Sequence, residues 1–520
     1  MNTTKFFTLI VLLSVLLSAC GAQMAPQAEA VYEQAPAAQA PLYEVVAVAT
    51  AMPQSPQVEG KAAPQPTPAD NFFQTYGVNP YEDTLEDNLS TFALDVDTAS
   101  YSVARRYVND GSLPPAESVR VEEFVNSFDP GYPTPPEVAF GIYADGAPSP
   151  FDHDGTHLLR IGIQGYEIPE WERKPAVLTF VIDVSGSMDR ENRLGLVKRS
   201  LEMLVERLTV EDMVSIVVYG SNARTVLEPT PGNEHYQIQA VIDSLHPEDA
   251  TNAEAGLRLG YQLAMQAFQP GYSNRVILCS DGVANVGNTG PDAILEQVRG
   301  YVSEGIYLTT VGFGMGNFND VLMERLANDG NGNYAYVDTL DEAEKLFVDD
   351  LTSTLQVIAR DAKVQVDFNP DVVARYRLIG YENRAVADQD FRNDAVDAGE
   401  LGAGHSATAI YAVQFNPDAE GRIATIQLRW EDPDTYEVHE INGNFNTWDL
   451  DSSFETTDPR YQLAILAAYY AEVLRQSPWA ADVTLDELYS LAKPLLHSLP
   501  EDEAVAEFVQ LVGRAARIAH

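Results

Sequence analysis

Two apolar runs that each stop at an aspartate constrain this chain more than anything else in it. The run 176–182, Ala-Val-Leu-Thr-Phe-Val-Ile, has one polar residue and ends at Asp183; the run 275–280, Arg-Val-Ile-Leu-Cys-Ser, leads into Asp281. Runs of this kind, rich in β-branched residues and without alternation, read as strands covered on both faces. The segments around them alternate. Helical patterns fall at 193–208, 234–245, 252–268, 292–304, 320–328 and 340–358, and strand patterns at 213–219, 224–227, 307–312 and 334–337. Alternation of this kind predicts an α/β unit over 176–360, a doubly wound and mostly parallel sheet. In such a sheet both aspartates emerge on the carboxyl edge, where open α/β sheets bind their ligands.

The residues after the first aspartate bear on what is bound. Asp183, Ser185 and Ser187 follow one another at spacing two, and Gly186 lets the loop turn tightly. Hard oxygen donors on one short loop suit Mg²⁺, Mn²⁺ or Ca²⁺. Between the two runs lies Asp249-Ala-Thr-Asn252, where Thr251 is placed to cap the next helix and to face the same edge. Asp183, Ser185, Ser187, Thr251 and Asp281 can therefore converge. Two carboxylates and three hydroxyls leave positions for water and a ligand oxygen, which is Mg²⁺-like, with Mn²⁺ or Ca²⁺ as alternatives.

Signals for catalysis are absent from the sequence. Gly-x-Ser-x-Gly, His-Glu-x-x-His and a Walker loop do not occur, and Ser185 as a nucleophile lacks a base. His235 and His405 belong to no catalytic motif, and Gly312-Phe-Gly-Met-Gly316 reads as a structural turn. The expectation is a non-enzyme. A faint echo of the loop at Asp95, Asp97 and Ser100 lacks its glycine and spacing, and reads as helix capping.

The ends of the chain bear on compartment and anchoring. Lys5 precedes an apolar stretch from Phe6 to Leu17, then Ser-Ala-Cys20-Gly, a secretory signal too short to span a membrane. Residues 21–70, rich in Ala, Pro and Gln, read as a disordered tether. With 77 acidic against 32 basic residues, the formal charge is −45. This argues against nucleic acid and against holding an anionic membrane by charge. Of two cysteines, Cys279 lies in an apolar run and reads as a buried thiol, so no intramolecular disulfide framework is expected. Residues 71–175 read as an N-terminal α+β region, 361–445 as a β-rich, sandwich-like region, and 446–520 as a C-terminal helical region.

Leu17-Ser-Ala-Cys20 resembles a bacterial lipobox, which implies residues 1–20 as a lipoprotein signal peptide and a diacylglycerol on Cys20. Asp183-Val-Ser-Gly-Ser-Met, Thr251 and Ser280-Asp281-Gly-Val-Ala-Asn-Val-Gly287 resemble the metal-ion-dependent adhesion site of von Willebrand factor type A domains. The resemblance implies metal contacts from Ser185, Ser187 and Thr251, aspartates acting directly or through water, and a partner's carboxylate completing the shell. Asp249 departs from the family's usual small residue; it either adds charge that favours Ca²⁺ or faces solvent. The flanks, including Leu113-Pro-Pro115 and Arg120-Val-Glu-Glu123, resemble bacterial lipoproteins with a central type A domain. Together these imply a lipid-anchored, extracytoplasmic module, held to the cell membrane by its N-terminal lipid alone, that captures an Asp or Glu of a protein partner. No small-molecule substrate is expected. The alternatives are an envelope-assembly protein whose metal only stabilises the fold, and a metal-assisted hydrolase.

Overall fold

The computed structural model describes residues 71–520 except 95, 137–138, 153, 249–250, 283–290, 316–317 and 397; the side chains of 191–192, 291–293 and 353 are also left aside. The expected signal peptide with Cys20, the tether, Asp95, Asp249 and the stretch 283–287 thus lie outside the described residues.

Six strands form the central sheet: β1 (Ala176–Asp183), β2 (Met213–Tyr219), β3 (Ala223–Pro231), β4 (Ser273–Ser280), β5 (Tyr307–Phe313) and β6 (Tyr334–Val337). Their order is β3-β2-β1-β4-β5-β6, all parallel except the edge strand β3. The sheet is covered by α1 (Arg193–Val205), α2 (His235–Ser244), α3 (Ala253–Ala267), α4 (Pro291–Val302), α5 (Asp320–Asn328) and the helical segment 340–355. Leu178, Phe180 and Ile182 of β1 pack on one side against Leu194 and Val197 of α1 and Ile238 of α2. Val181 of β1 and Leu278 of β4 pack on the other against Leu257 of α3, Val298 of α4 and Leu326 of α5. Burial on both faces is what the unbroken apolar runs require. Strand order reverses between β1 and β4, so the crevice of the fold opens at their carboxyl ends.

One predicted helix is broken short of its pattern. The pattern at 340–358 resolves into Leu340–Glu344, a π-helical turn at Lys345–Asp349 and Leu351–Leu355, and the chain then leaves as a strand, Val357–Phe368. The β-branched pair Val357-Ile358 is spent on that strand's pairing rather than on a helix face. In the N-terminal region a short helix, Val121–Val125, starts only after Arg120, which is extended and whose N–H donates to Ser100 Oγ at 2.9 Å.

The β-rich region is assembled from separate parts of the chain. Strands Phe140–Pro148 and His157–Gly165 lie in one antiparallel sheet with Ser406–Phe415, Val373–Ile379 and Glu82–Asp83. Leu89–Ala93 pairs with Val357–Phe368, which also pairs with Gly399–Gly402 and Arg422–Glu431; Val438–Asn446 forms the far edge. Ile161 and Tyr411 of the first sheet share a core with Val364 and Ile426 of the second. A third core joins Ala99–Asn109 and Val121–Val125 to the C-terminal helices Pro459–Leu474 and Glu503–Ala519. Pro459–Leu474 is buried nearly all round, and no helix among the described residues is long and apolar enough to cross a membrane.

Candidate metal centre

Asp183 is the last residue of β1 and has no exposed surface. The turn behind it closes as Ser185 N–H donates to Asp183 Oδ1 at 2.8 Å and Met188 N–H donates to the Ser185 carbonyl at 2.9 Å. This turn aligns the two serines, whose Oγ atoms lie 2.9 Å apart. Ser185 is buried and Ser187 half-buried. From β4, Ser280 Oγ–H donates to Asp183 Oδ2 at 3.1 Å, which draws the ends of the two switch-point strands together. Asp281 follows at once and is 9% exposed.

The two carboxylates are mutually unfavourable. Burial first, and then the negative charge of Asp281, push the Asp183 carboxyl up to about 6, against the hydrogen bonds from Ser185 and Ser280. The site answers part of this charge itself. Arg193, the first residue of α1, donates from Nη1 to Asp281 Oδ2 at 2.6 Å and from Nη2 to the Met315 carbonyl after β5. Tyr219, at the end of β2, is register partner to Asp183; burial and then Asp183 raise its hydroxyl well above its ordinary range, so it stays protonated.

Thr251 is half-buried directly before α3. It is not the capping residue that the sequence suggests: Asn252 is, its Oδ1 accepting from Ala255 N–H at 3.1 Å. The side chain of Thr251 is therefore not committed to the helix. The carboxyl edge holds the start of α3 because the helix lies tight on the strands. A Cβ on Gly256 would meet the Tyr219 ring at 2.6 Å, and one on Gly260 would meet Val181 Cγ2 at 2.3 Å. Glu248 N–H donates to the Val184 carbonyl at 2.5 Å, which seats the loop before Thr251 on the serine turn. No hydrogen bond joins Thr251 to the other four residues among those described. Asp183, Ser185, Ser187 and Asp281 are brought together by hydrogen bonds or charge; Thr251 is placed at the same edge.

The donor set fits a hard divalent cation. Two buried carboxylates that repel each other lie beside paired hydroxyls, a surplus of negative charge that a cation would relieve. Among the described residues no group of three or more His, Cys, Asp or Glu is placed to hold a metal ion. The echo at Asp97 and Ser100 serves the fold: Asp97 Oδ1 accepts from Tyr334 N–H at 2.8 Å, and Ser100 Oγ–H donates to the Ser118 carbonyl at 2.6 Å. Cys279 is buried and its thiol pushed up to about 12. Arg193, Tyr219 and Ser280 carry no sequence signal of their own, apart from the adjacency of Ser280 to Asp281.

The family model described as "von Willebrand factor type A domain" matches residues 178–349, that of "von Willebrand factor" matches 67–160, and that of "Uncharacterized protein YfbK, C-terminal" matches 353–518. The chain is 34% identical over 484 residues to the uncharacterized protein YfbK of Escherichia coli, covering 88% of this chain and 83% of that one. Human inter-alpha-trypsin inhibitor heavy chain H3 is 30% identical over 167 residues, 30% of this chain and 18% of its own. Among solved structures, von Willebrand factor type A from Catenulispora acidiphila aligns with TM-score 0.42 at 15% identity, over 70% of this chain and 88% of that one. The chain belongs to the family of the uncharacterized protein YfbK, with a von Willebrand factor type A domain at its centre and a YfbK-type C-terminal domain after it.

Proposed function

We propose that this type A domain is a cation-dependent protein-binding module on a lipid-anchored, extracytoplasmic chain. Asp183, Ser185, Ser187, Thr251 and Asp281 would hold a divalent cation, Mg²⁺ foremost. The bound cation would supply a Lewis-acid contact to an Asp or Glu of a partner protein. Type A domains mediate protein–protein interaction, which supports the reading of this one as a binding module.

The observation that carries the reading is the buried carboxylate pair at the switch point, with Asp183 raised by its own surroundings and two serine hydroxyls beside it. A holding site also suits these residues better than a cutting one. Ser185 is hydrogen-bonded to Ser187, and among the described residues no histidine is hydrogen-bonded to Ser185, Ser187 or Asp281.

The test is a crosslinked pull-down from envelope extract in Mg²⁺, comparing wild type with Asp183→Ala. Capture in Mg²⁺ is expected to be lost both with EDTA and in the variant, while the fold survives by circular dichroism. Equal capture with and without EDTA would sink the reading. A melting temperature raised by Mg²⁺ without any cation-dependent capture would favour a fold-stabilising metal instead.

A further inference from the structure

The guanidinium of Arg193 lies inside the candidate metal centre, and nothing in the sequence motif accounts for it. Its side chain is 4% exposed. It ties together three loops of the carboxyl edge: the turn after β1, from which α1 starts, Asp281 after β4, and Met315 after β5. Its Nε–H is buried and has no hydrogen-bond partner among the described residues. The fold keeps room for it. Gly314 has φ +80°, and a Cβ there would come within 2.2 Å of Arg193 Nε. A left-handed residue that must lack a side chain is a costly way to seat an arginine that does nothing but pack.

We propose that Arg193 is a specificity-determining positioning residue of this centre, moving affinity from the cation to the acidic ligand. This rests on reading the centre as a divalent-cation site. The argument is one of charge. Asp183 and Asp281 bring two negative charges, and Arg193 cancels one. A divalent cation then leaves the centre with one net positive charge, which a single partner carboxylate neutralises. Without Arg193 the loaded centre would already be neutral, and a carboxylate arriving there would leave it negative. Arg193 thus weakens the grip on the free cation and strengthens the capture of an anion. It also fixes the Asp281 carboxylate by Oδ2, so that Oδ1, which has no hydrogen bond among the described residues, is the oxygen turned over to the centre's other business.

The full chain is titrated with Mn²⁺ alone, followed by water-proton relaxation, and the loaded chain is then titrated with acetate as the carboxylate probe. Arg193→Met is expected to bind Mn²⁺ about tenfold more tightly and acetate about tenfold more weakly than wild type, the scale of one unit charge removed from a partly buried site. Arg193→Lys, which keeps the charge but not the planar fork, is expected to stay within about threefold of wild type for Mn²⁺. Mn²⁺ binding that is unchanged or weaker in Arg193→Met, or tightened equally in Arg193→Lys, overturns the proposal. Should Arg193→Met not fold by circular dichroism, Arg193→Gln carries the same expectation; if neither folds in Mn²⁺, Arg193 belongs to the fold alone and the proposal is likewise overturned. Wild type that binds no Mn²⁺ would remove the cation reading itself, an outcome distinct from the failure of Arg193.

Discussion

Asp183 is held next to a second carboxylate at a cost, and burial raises its pKa rather than a partner lowering it. Asp212 is also fully buried, yet it is satisfied: Arg173 grips both its oxygens at 2.9 Å, and its carboxyl is held below the usual range by that arginine and by backbone donors, against its own burial. Only the first arrangement leaves something for a cation to do. His405 shows the same bookkeeping in a neutral group. It accepts from Gly402 N–H at 3.3 Å on Nδ1, and burial, then the nearby Arg275 and Lys345, lower its pKa to about 4. Glu342 and Asp350 line the same cleft and do not restore it. The unfolded chain takes up a proton near 6.5 that the folded chain refuses until about 4. Stability is thus full above pH 6.5 and falls as the pH drops toward 4, by no more than about 3 kcal/mol. Thermal melts of wild type against His405→Gln across that range will show it: the variant is expected to have the shallower pH slope, and parallel curves would exclude His405 as the cause.

Between elements, arginines are the joints. Arg120, just before Val121–Val125, is 5% exposed and reaches Glu123 on its own segment and Asp320 at the start of α5 at 2.7 Å. The Tyr334 hydroxyl of β6 donates to the same Asp320 at 2.7 Å. Arg105 of Ala99–Asn109 likewise pairs with Asp338 after β6, with Glu342 at 2.7 Å and with Glu507 of the last helix at 3.1 Å. The N-terminal segment is therefore built into the type A domain through buried charge. Removing one partner of such a network strands the others. Arg120→Ala is expected to lose about 3–5 kcal/mol, read from the urea midpoint; a loss under about 1 kcal/mol would mean water replaces the guanidinium there.

For the whole molecule, charge and anchoring point the same way. At −45 the chain is repelled by anionic headgroups, so residence at a membrane has to come from something other than surface charge. The lipid proposed on Cys20 would supply it, and Cys20→Ser is expected to move the chain from the membrane to the soluble fraction on centrifugation. An unchanged distribution would remove the lipid from the proposal. The sandwich and the helical layer enclose the type A domain in sequence, but both are closed by strands or helices from each side of it. Lys363 pairs with Ala93, and Ser406 with Gln164. The segments flanking the domain are thus expected to fail together when either is cut away.

By itself the sequence determined the α/β sheet, because burial on both faces writes an unbroken apolar run into adjacent residues, and an aspartate that ends such a run can only emerge at the carboxyl edge. It placed Asp183, Ser185 and Ser187 on one turn for the same local reason, their spacing of two along the chain. Asp320–Asn328 and Tyr334–Val337 fall where their patterns place them. Tertiary structure alone decided the rest. Asn252 rather than Thr251 caps α3, a choice between neighbouring polar residues that composition alone does not make. The pattern at 340–358 is helical in periodicity, yet its last residues are claimed by a strand whose partners lie far along the chain in both directions. Arg193 meets Asp281 because β1 and β4 are adjacent and Gly314 leaves the space. Periodicity records how a segment meets the core; it carries no record of which distant charge will share a buried edge.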